Sequence, residues 1–104
     1  MRMQIAGFDW DEGNRFKCRE HGVSLAAIES MFRGSVAVQP DPLHSKSEER
    51  FKAIGKSESG GWIFVVFTVR IRRGKRFIRP ISARFMHKKE VQHYEKETAK
   101  LQKR

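Results

Sequence analysis

The stretch from Trp62 to Arg72 most constrains how this chain can fold. Side chains of a strand point alternately to the two faces of a sheet, so an apolar residue at every second position predicts a core face. The opposite face runs from aromatic and aliphatic side chains to Thr68, Arg70 and Arg72. We therefore predict a strand with one core face and a second face that becomes basic toward its end. The predicted core positions are Ile63, Val65, Phe67, Val69 and Ile71.

Helix and strand signals divide the rest of the chain. Ser24 is a good N-cap and Gly34 a helix stop, so the apolar spacing between them predicts a helix. An earlier helix is predicted to run from the acids around Asp11 to about Glu20 and to end at His21-Gly22. Further predicted elements are an opening strand within residues 3–8, strands over 36–38, 49–55 and 76–84, and a final helix over 88–103.

Two connections complete the predicted topology. Ser59-Gly60-Gly61 predicts a hairpin connection and Arg73-Gly74-Lys75 a turn, while Pro80 indicates an edge position or a bulge in the last strand. The resulting order, β-α-α-β-β-β-β-α, describes an α+β fold. In it an antiparallel β-sheet packs with two N-terminal helices and a C-terminal helix.

Length and composition limit the possible classes of protein. The 104 residues fit one domain, over residues 1–104, with one modest core. A lone Cys18 cannot form an internal disulfide, and no Cys/His spacing resembles a zinc site, which indicates a reducing compartment. No stretch approaches the roughly 20 apolar residues of a membrane span. We therefore expect a cytoplasmic protein with no membrane contact, no metal and no other cofactor.

Positive charge is concentrated in the last third of the chain. The net charge is +10, yet residues 1–69 carry nine Lys/Arg against nine Asp/Glu and residues 70–104 carry thirteen against three. Six cations lie within residues 70–79 with no acid among them, and phosphate is expected to relieve their mutual repulsion. A solubilising face, or an edge that blocks aggregation, is the alternative. The residues predicted to bind RNA are Arg72, Arg73, Lys75, Arg76, Arg79, Lys88 and Lys89.

Metal-free cleavage of RNA sets requirements that several side chains could meet. One group must activate the ribose 2′-hydroxyl, another must protonate the leaving oxygen, and cations must stabilise charge on the phosphate. The chain offers four histidines together with Arg84, but no spacing among them proves a site. Structural roles for each histidine, and pairing of Arg84 with a carboxylate, remain open. The histidines are His21, His44, His87 and His93.

A metal-dependent nuclease of the restriction-enzyme type is a second reading of the middle of the chain. Asp41, Glu48 and Glu49 precede Lys52, which resembles the acidic residues and lysine of such sites. In that pattern an acid stands two positions before the lysine on one strand face, whereas Glu49 stands three positions before Lys52. The spacing therefore disfavours this reading.

Short motifs along nearly the whole chain resemble the BrnT family of toxins, the partners of BrnA antitoxins. Each motif alone is weak, but their order and separation are specific. They are Phe8-Asp9-Trp10-Asp11, His21-Gly22-Val23-Ser24, Asp41-Pro42-x-His44-Ser45, Glu49-Arg50-Phe51, Ile54-Gly55, Val65-Val66-Phe67-Thr68-Val69-Arg70, Arg79-Pro80-Ile81-Ser82-Ala83-Arg84, Lys89-Glu90 and Tyr94.

The resemblance implies a RelE-like fold and a cytoplasmic ribonuclease toxin. Such a toxin cleaves RNA without a metal, stops translation and is neutralised by a BrnA-like antitoxin. The family's antitoxins resemble ribbon-helix-helix proteins, so operator DNA would be contacted only through the antitoxin complex. The family's arginine after Ile-Ser-Ala falls on Arg84, and its His-Gly pair falls on His21 and Gly22. Glu20 replaces the lysine that often precedes the histidine, which leaves Lys17 as the nearest lysine on that helix.

The leading hypothesis from the sequence is an endoribonuclease. In it Arg84 and Arg70 bind the reacting phosphate, and His21, Lys17 or His44 takes part in proton transfer. Two other classes remain open. One is a nucleic-acid-binding module that leaves its ligand intact, and the other is an interaction protein whose basic face meets an acidic partner.

Overall fold

Within residues 4–102, eight regular elements and one short 3-10 helix form the fold. The computed structural model describes residues 4–102, so the predicted strand start at residue 3 and helix end at residue 103 lie outside the described residues. The predicted element order is confirmed. The elements are β1 (Gly7–Phe8), α1 (Glu12–Arg19), α2 (Leu25–Arg33), β2 (Val36–Pro40), the 3-10 helix (Pro42–His44), β3 (Phe51–Lys56), β4 (Trp62–Arg72), β5 (Lys75–Phe85) and α3 (Lys88–Gln102).

Side-chain caps fix where the two N-terminal helices begin. At α1 the Asp11 carboxylate accepts the Asn14 backbone N–H at 2.9 Å, while the Asn14 side chain accepts the Asp11 N–H at 2.7 Å. This reciprocal pair satisfies two of the backbone donors that a helix start leaves open. Ser24 caps α2 by accepting the Ala27 N–H at 3.0 Å. Gly22 has φ +83, a left-handed conformation that glycine adopts readily, and it turns the chain between the helices.

The five strands form one sheet in the order β1-β5-β4-β3-β2. Strands β2 to β5 make the predicted antiparallel meander. The expectation of a purely antiparallel sheet is wrong at one edge, because β1 pairs in parallel with β5, Gly7 opposite Phe77 and Phe8 opposite Ile78. A two-residue strand has no periodicity of its own, so its direction depends on non-local contacts.

Pro80 lies at a β-bulge, one of its two predicted positions. Val66 pairs with Ser82 but Phe67 pairs with Pro80, so Ile81 is an extra residue in β5. The ladder is irregular at a bulge, and such a position tolerates a neighbouring proline, which has no N–H to donate. The bulge changes which side chains of β5 share a face. Arg79 opposes Thr68 and Arg84 opposes Phe64, so both arginines lie on the same side of the sheet.

One face of the sheet packs against α2 and forms most of the core. The Phe32 ring meets the Phe67 ring edge-on, with their centroids 5.1 Å apart. Ile63, Val65 and Phe67 are fully buried, as predicted. Ile71 is 62% exposed, so its assignment to the core is wrong. The described helices cover only the first part of β4, and the end of the β4–β5 hairpin extends beyond them.

The opposite face is divided between α3 and a loop. Near the start of β4 the Trp62 ring packs against Tyr94 of α3 at a centroid distance of 5.3 Å. Farther along, Thr68 is buried and its hydroxyl donates to the Glu49 carbonyl at 2.7 Å, which ties the loop before β3 to the sheet. The basic end of β4 therefore lies beside this loop and not under α3. None of the helices within residues 4–102 has the length and apolar character needed to span a membrane.

Candidate active-site cleft

Three separate segments line a shallow, open cleft of about 870 Å³ on the side of the sheet that carries Arg70 and Arg79. The segments are the first turns of α1, the loop before β3 and the middle of the β4–β5 hairpin. Four cations and three carboxylates contribute to its walls. The lining residues are Asp11, Glu12, Gly13, Asn14, Lys17, Glu48, Arg50, Arg70, Arg79 and Ile81.

Arg70 and Glu48 form the central ion pair of the cleft. The Arg70 Nη1 atom donates to Glu48 Oε2 at 2.8 Å, and both side chains are partly exposed, at 41% and 28%. The loop that carries Glu48 is well fixed, since Ser45 Oγ accepts the Arg50 N–H at 2.8 Å and donates to the Asp41 carbonyl at 2.8 Å. The carboxylate is therefore held beside the guanidinium and remains accessible to a ligand.

Arg79 is a largely enclosed cation of the cleft. Its side chain is 22% exposed, and its Nη2 donates to Asp11 Oδ2 at 2.7 Å, while Nη1 lies 3.7 Å from Asp9 Oδ1. The Asn14 backbone N–H, followed by the Arg79 guanidinium, lowers the pKa of Asp11 below its ordinary value. The Asn14 side chain also donates to the Pro80 carbonyl at 2.9 Å, so the start of α1 is bonded directly to β5.

Acids from the first half of the chain neutralise part of the basic hairpin. Arg70 pairs with Glu48, Arg79 with Asp11, and Arg72 with Asp9 at 3.1 Å. For these three cations, carboxylates of the protein already relieve part of the expected repulsion, and phosphate contacts of the six hairpin cations stay a prediction. The other three are exposed at the tip and form no ion pair within the described part of the chain. They are Arg73, Lys75 and Arg76.

Arg84 occupies a different position from Arg70 and Arg79. Both of its terminal nitrogens donate to the Glu90 carboxylate, at 2.8 and 2.9 Å, and its guanidinium lies 4.9 Å from the centre of the Phe64 ring. These hydrogen bonds, with one from the His87 backbone N–H, lower the pKa of Glu90 to about 2. Glu90 thereby caps α3 and binds it to β5. Arg84 does not line the cleft.

The candidates for proton transfer are distributed over the molecule. Lys17 lines the cleft, whereas His21 is exposed in the turn after α1. His44 lies in the 3-10 helix, and its Nδ1 atom is 2.7 Å from Oδ2 of Asp41, a carboxylate only 1% exposed. The predicted RNA contacts Lys88 and Lys89 are exposed in the first turn of α3. Catalytic roles for His21, His44 and Arg84 stay predictions.

Sequence reasoning missed Glu48 as the ion-pair partner of Arg70 and Arg50 as a further cation of the cleft. The sequence suggests Glu48 only as a metal ligand, yet no group of three or more metal-binding side chains occurs in the described part of the chain. The ion pair between Glu48 and Arg70 joins residues 22 positions apart, so no local spacing reveals it. One signal in the sequence did point to such a partner. The basic end of one face of β4 favours an acidic side chain from a segment packed beside it.

The fold and the cleft define a small, basic α+β protein with cations and carboxylates arranged around a concave surface. The family model for the ribonuclease toxin BrnT of type II toxin–antitoxin systems matches residues 10–90. The chain therefore belongs to the BrnT family, and the resemblance indicated by its motifs is confirmed. A search of curated proteins returned no match.

Proposed function

We propose that this BrnT-family chain is a metal-independent endoribonuclease and that the cleft is its active site. The observation that carries the proposal is the convergence of Lys17, Arg50, Arg70 and Arg79 with Glu48 in one concave surface. Membership in a family of ribonuclease toxins supplies the class of reaction. Cations in such an arrangement suit a phosphodiester, whose negative charge increases as it reacts.

The reaction assigned to the cleft is internal transesterification of RNA. The ribose 2′-oxygen attacks the adjacent phosphorus, the bond to the 5′-oxygen breaks, and a 2′,3′-cyclic phosphate and a 5′-hydroxyl are formed. The Glu48 carboxylate accepts the proton of the 2′-hydroxyl, and the Lys17 ammonium donates one to the leaving 5′-oxygen. Arg70 and Arg79 bind the non-bridging oxygens. Their ion pairs with Glu48 and Asp11 hold both guanidinium groups in place before RNA arrives.

The existing contacts of the carboxylates support a mechanism by proton transfer. Asp11 is engaged by the Asn14 N–H and by Arg79, and Glu48 is engaged by Arg70. A divalent cation prefers several oxygen ligands with no competing positive charge beside them. Guanidinium groups at 2.7 and 2.8 Å from these carboxylates therefore disfavour a magnesium site in this cleft.

A pair of adjacent substitutions tests the role of Glu48. We expect Glu48→Gln to lower the rate of RNA cleavage about 100-fold or more, since it removes the proton acceptor and keeps the shape of the side chain. Glu49→Gln is the matched control, because Glu49 is exposed and outside the lining of the cleft. The assay is cleavage of a short RNA in EDTA, with the product ends analysed for the cyclic phosphate.

Three results would contradict parts of this proposal. Equal activity of the two glutamine variants would remove Glu48 from the mechanism. Activity that disappears in EDTA and returns with magnesium would show a metal-dependent enzyme. Binding of RNA without cleavage by the folded wild type would favour a nucleic-acid-binding module.

The biological setting that we propose follows from the family. Residues 1–104 act as a single toxin domain with a RelE-like fold, and RNA cleavage in the cytoplasm inhibits translation. A BrnA-like antitoxin of the ribbon-helix-helix class neutralises the toxin, and operator DNA is contacted only through the antitoxin complex. The type II toxin–antitoxin assignment of the family supports an antitoxin partner, and the cationic cleft and hairpin support an RNA substrate.

A further inference from the structure

Phe16 is a large apolar side chain on the solvent side of α1. It is 65% exposed, whereas Asn14 and Cys18 of the same helix are buried. Its ring therefore contributes little to the core. An exposed aromatic ring does not by itself indicate a binding site, because single apolar residues are common on protein surfaces. The position of Phe16 relative to the cleft is what indicates a function for its ring.

Phe16 does not itself line the cleft, but the geometry of α1 places it beside residues that do. Successive residues of a helix are about 100° apart around its axis, which puts Phe16 about 40° from Glu12 and about 60° from Gly13. Both of those residues line the cleft, as does Lys17. Side chains of a helix also lean back toward its N-terminus, so the ring is directed toward the turn that contains Gly13. Because Gly13 has no side chain, the helix surface at Gly13 is not covered by that residue.

An aromatic ring beside a cationic groove is the arrangement that binds unpaired bases. Cations follow the phosphate backbone, and the ring offers a flat surface on which one base can stack. A base within a duplex is already stacked on its neighbours and is not available. Lys17 follows Phe16 in α1, and Arg70 and Arg79 line the same cleft as Glu12, Gly13 and Lys17.

We propose that Phe16 is a base-stacking platform at the rim of the cleft, and that it selects single-stranded RNA by binding an unpaired base next to the reacting phosphate. This inference rests on the proposed function, because the cleft must be the place where RNA binds. Stacking on Phe16 favours single-stranded RNA over duplex RNA, a preference that the charges of the cleft do not provide.

The test compares three variants on an RNA that cannot be cut. A short 2′-O-methyl oligonucleotide lacks the attacking hydroxyl, so its binding can be measured separately from cleavage, both as a single strand and as a duplex. We expect Phe16→Leu to raise the Kd for the single strand about tenfold and to leave duplex binding unchanged. Phe16→Tyr, which keeps the ring, should bind as the wild type does. Leu43→Ala is the control, since Leu43 is 82% exposed and outside the cleft.

Circular dichroism and Tm establish that each variant is folded before its binding is compared. Wild-type affinity of Phe16→Leu for the single strand would overturn the inference, as would an equal loss of single-strand and duplex binding. Unchanged RNA binding with weakened capture of the antitoxin would overturn it too, in favour of a protein-docking role.

The same measurements separate this inference from the proposed function. If the wild type cleaves ordinary RNA and Phe16→Leu does so with an unchanged KM, the stacking role fails and the nuclease stands. If the wild type binds the single strand through Phe16 but cuts no RNA, the nuclease fails and stacking stands. A wild type that neither binds nor cuts RNA overturns both.

Discussion

Glu90 is a single residue that joins a strand to a helix. Its carboxylate receives two hydrogen bonds from Arg84 of β5 and one, at 2.9 Å, from the His87 N–H at the start of α3. All three bonds favour the charged form of the carboxylate, which explains why its pKa falls to about 2. The attachment of α3 to the sheet therefore depends on pH.

The first prediction concerns acid stability. Because the pKa of Glu90 in the folded protein, about 2, lies below its ordinary value of 4.5, the charged form stabilises the fold above about pH 4.5. That contribution is lost as the pH falls toward 2. We expect Glu90→Gln to be less stable than the wild type near neutral pH and to lose less stability through this range. Urea unfolding at several pH values measures both effects.

Glu95→Gln is the matched control for this prediction, because it removes the same charge from an exposed position of α3. Identical pH profiles for the two variants would show that the pairing of Glu90 with Arg84 contributes nothing to folding.

Residues whose role depends on near neighbours could be predicted from the sequence. Ser24 is recognisable as a helix cap because its partner is three residues away, and Gly22 because a turn must separate two helices. Glu48 could not be assigned to Arg70, since their contact depends on how a loop packs beside the sheet. Lys17 was identified through a family resemblance and Arg70 through its strand face. That they line one cleft is information only the fold supplies.

The β4–β5 hairpin combines two kinds of basic surface. Toward the cleft, Arg70 and Arg79 are paired with acids and partly enclosed. At the tip, Arg73 with φ 53 and Gly74 with φ 75 form the tight turn that suits twisted strands. The exposed cations around this turn are well placed for loose contact with the phosphate backbone. In the proposed function, chemistry and RNA docking therefore belong to different parts of one hairpin.

The second prediction separates these two parts. We expect replacement of Arg73, Lys75 and Arg76 by glutamine to raise KM with little change in kcat. The slope of log Kd against log salt should fall by about two, since three contacts to a single strand contribute roughly 0.7 each. Cleavage and binding measured over a range of salt concentrations supply both quantities.

A control with the same net charge replaces three exposed lysines elsewhere by glutamine: Lys56, Lys96 and Lys100. An equal fall in slope for both triple variants would mean that RNA responds to the field of the whole protein and not to the hairpin tip.

Among the elements, β4 was predicted with its observed limits, because alternation over eleven residues leaves few other positions at which the strand could begin and end. β1 could be located but its parallel pairing could not, since two residues carry no directional signal. The exposure of Ile71 also could not be predicted from the sequence. It depends on where the helices end above the sheet, and the alternation of the strand contains no information about that distance.

Across the whole molecule, folding redistributes the charge that the sequence separates. The balanced first part of the chain supplies Asp9, Asp11 and Glu48, which lie against cations of the basic last part. Exposed cations at the hairpin tip have no such acid partner among the described residues. For a chain of net charge +10, this leaves an attractive surface for a polyanion on the hairpin that also lines the proposed active site.

The third prediction concerns the protein in a living cell. We expect induced expression to arrest growth and deplete RNA or translation, and co-expression of the antitoxin to restore growth. Arg70→Gln should relieve the arrest, because the loss of one donor to the phosphate lowers the rate about 100-fold or more. Lys100→Gln removes the same charge far from the cleft and should remain toxic. Normal growth with abundant, folded wild-type protein would rule out a toxin.

The extra residue at Ile81 decides which way the two halves of β5 face. Arg79 and Arg84 are five positions apart, and in an unbroken strand an odd separation places side chains on opposite faces. Only the bulge brings both to the same side. Deleting Ile81 would remove the bulge and leave the two arginines four positions apart, still on one side, whereas one further residue inserted between them without a second bulge would turn Arg84 toward the Phe67 face and release α3. Evolution or an engineer can therefore lengthen this hairpin at its turn, or remove its extra residue, but cannot add a single unbulged residue between the two arginines.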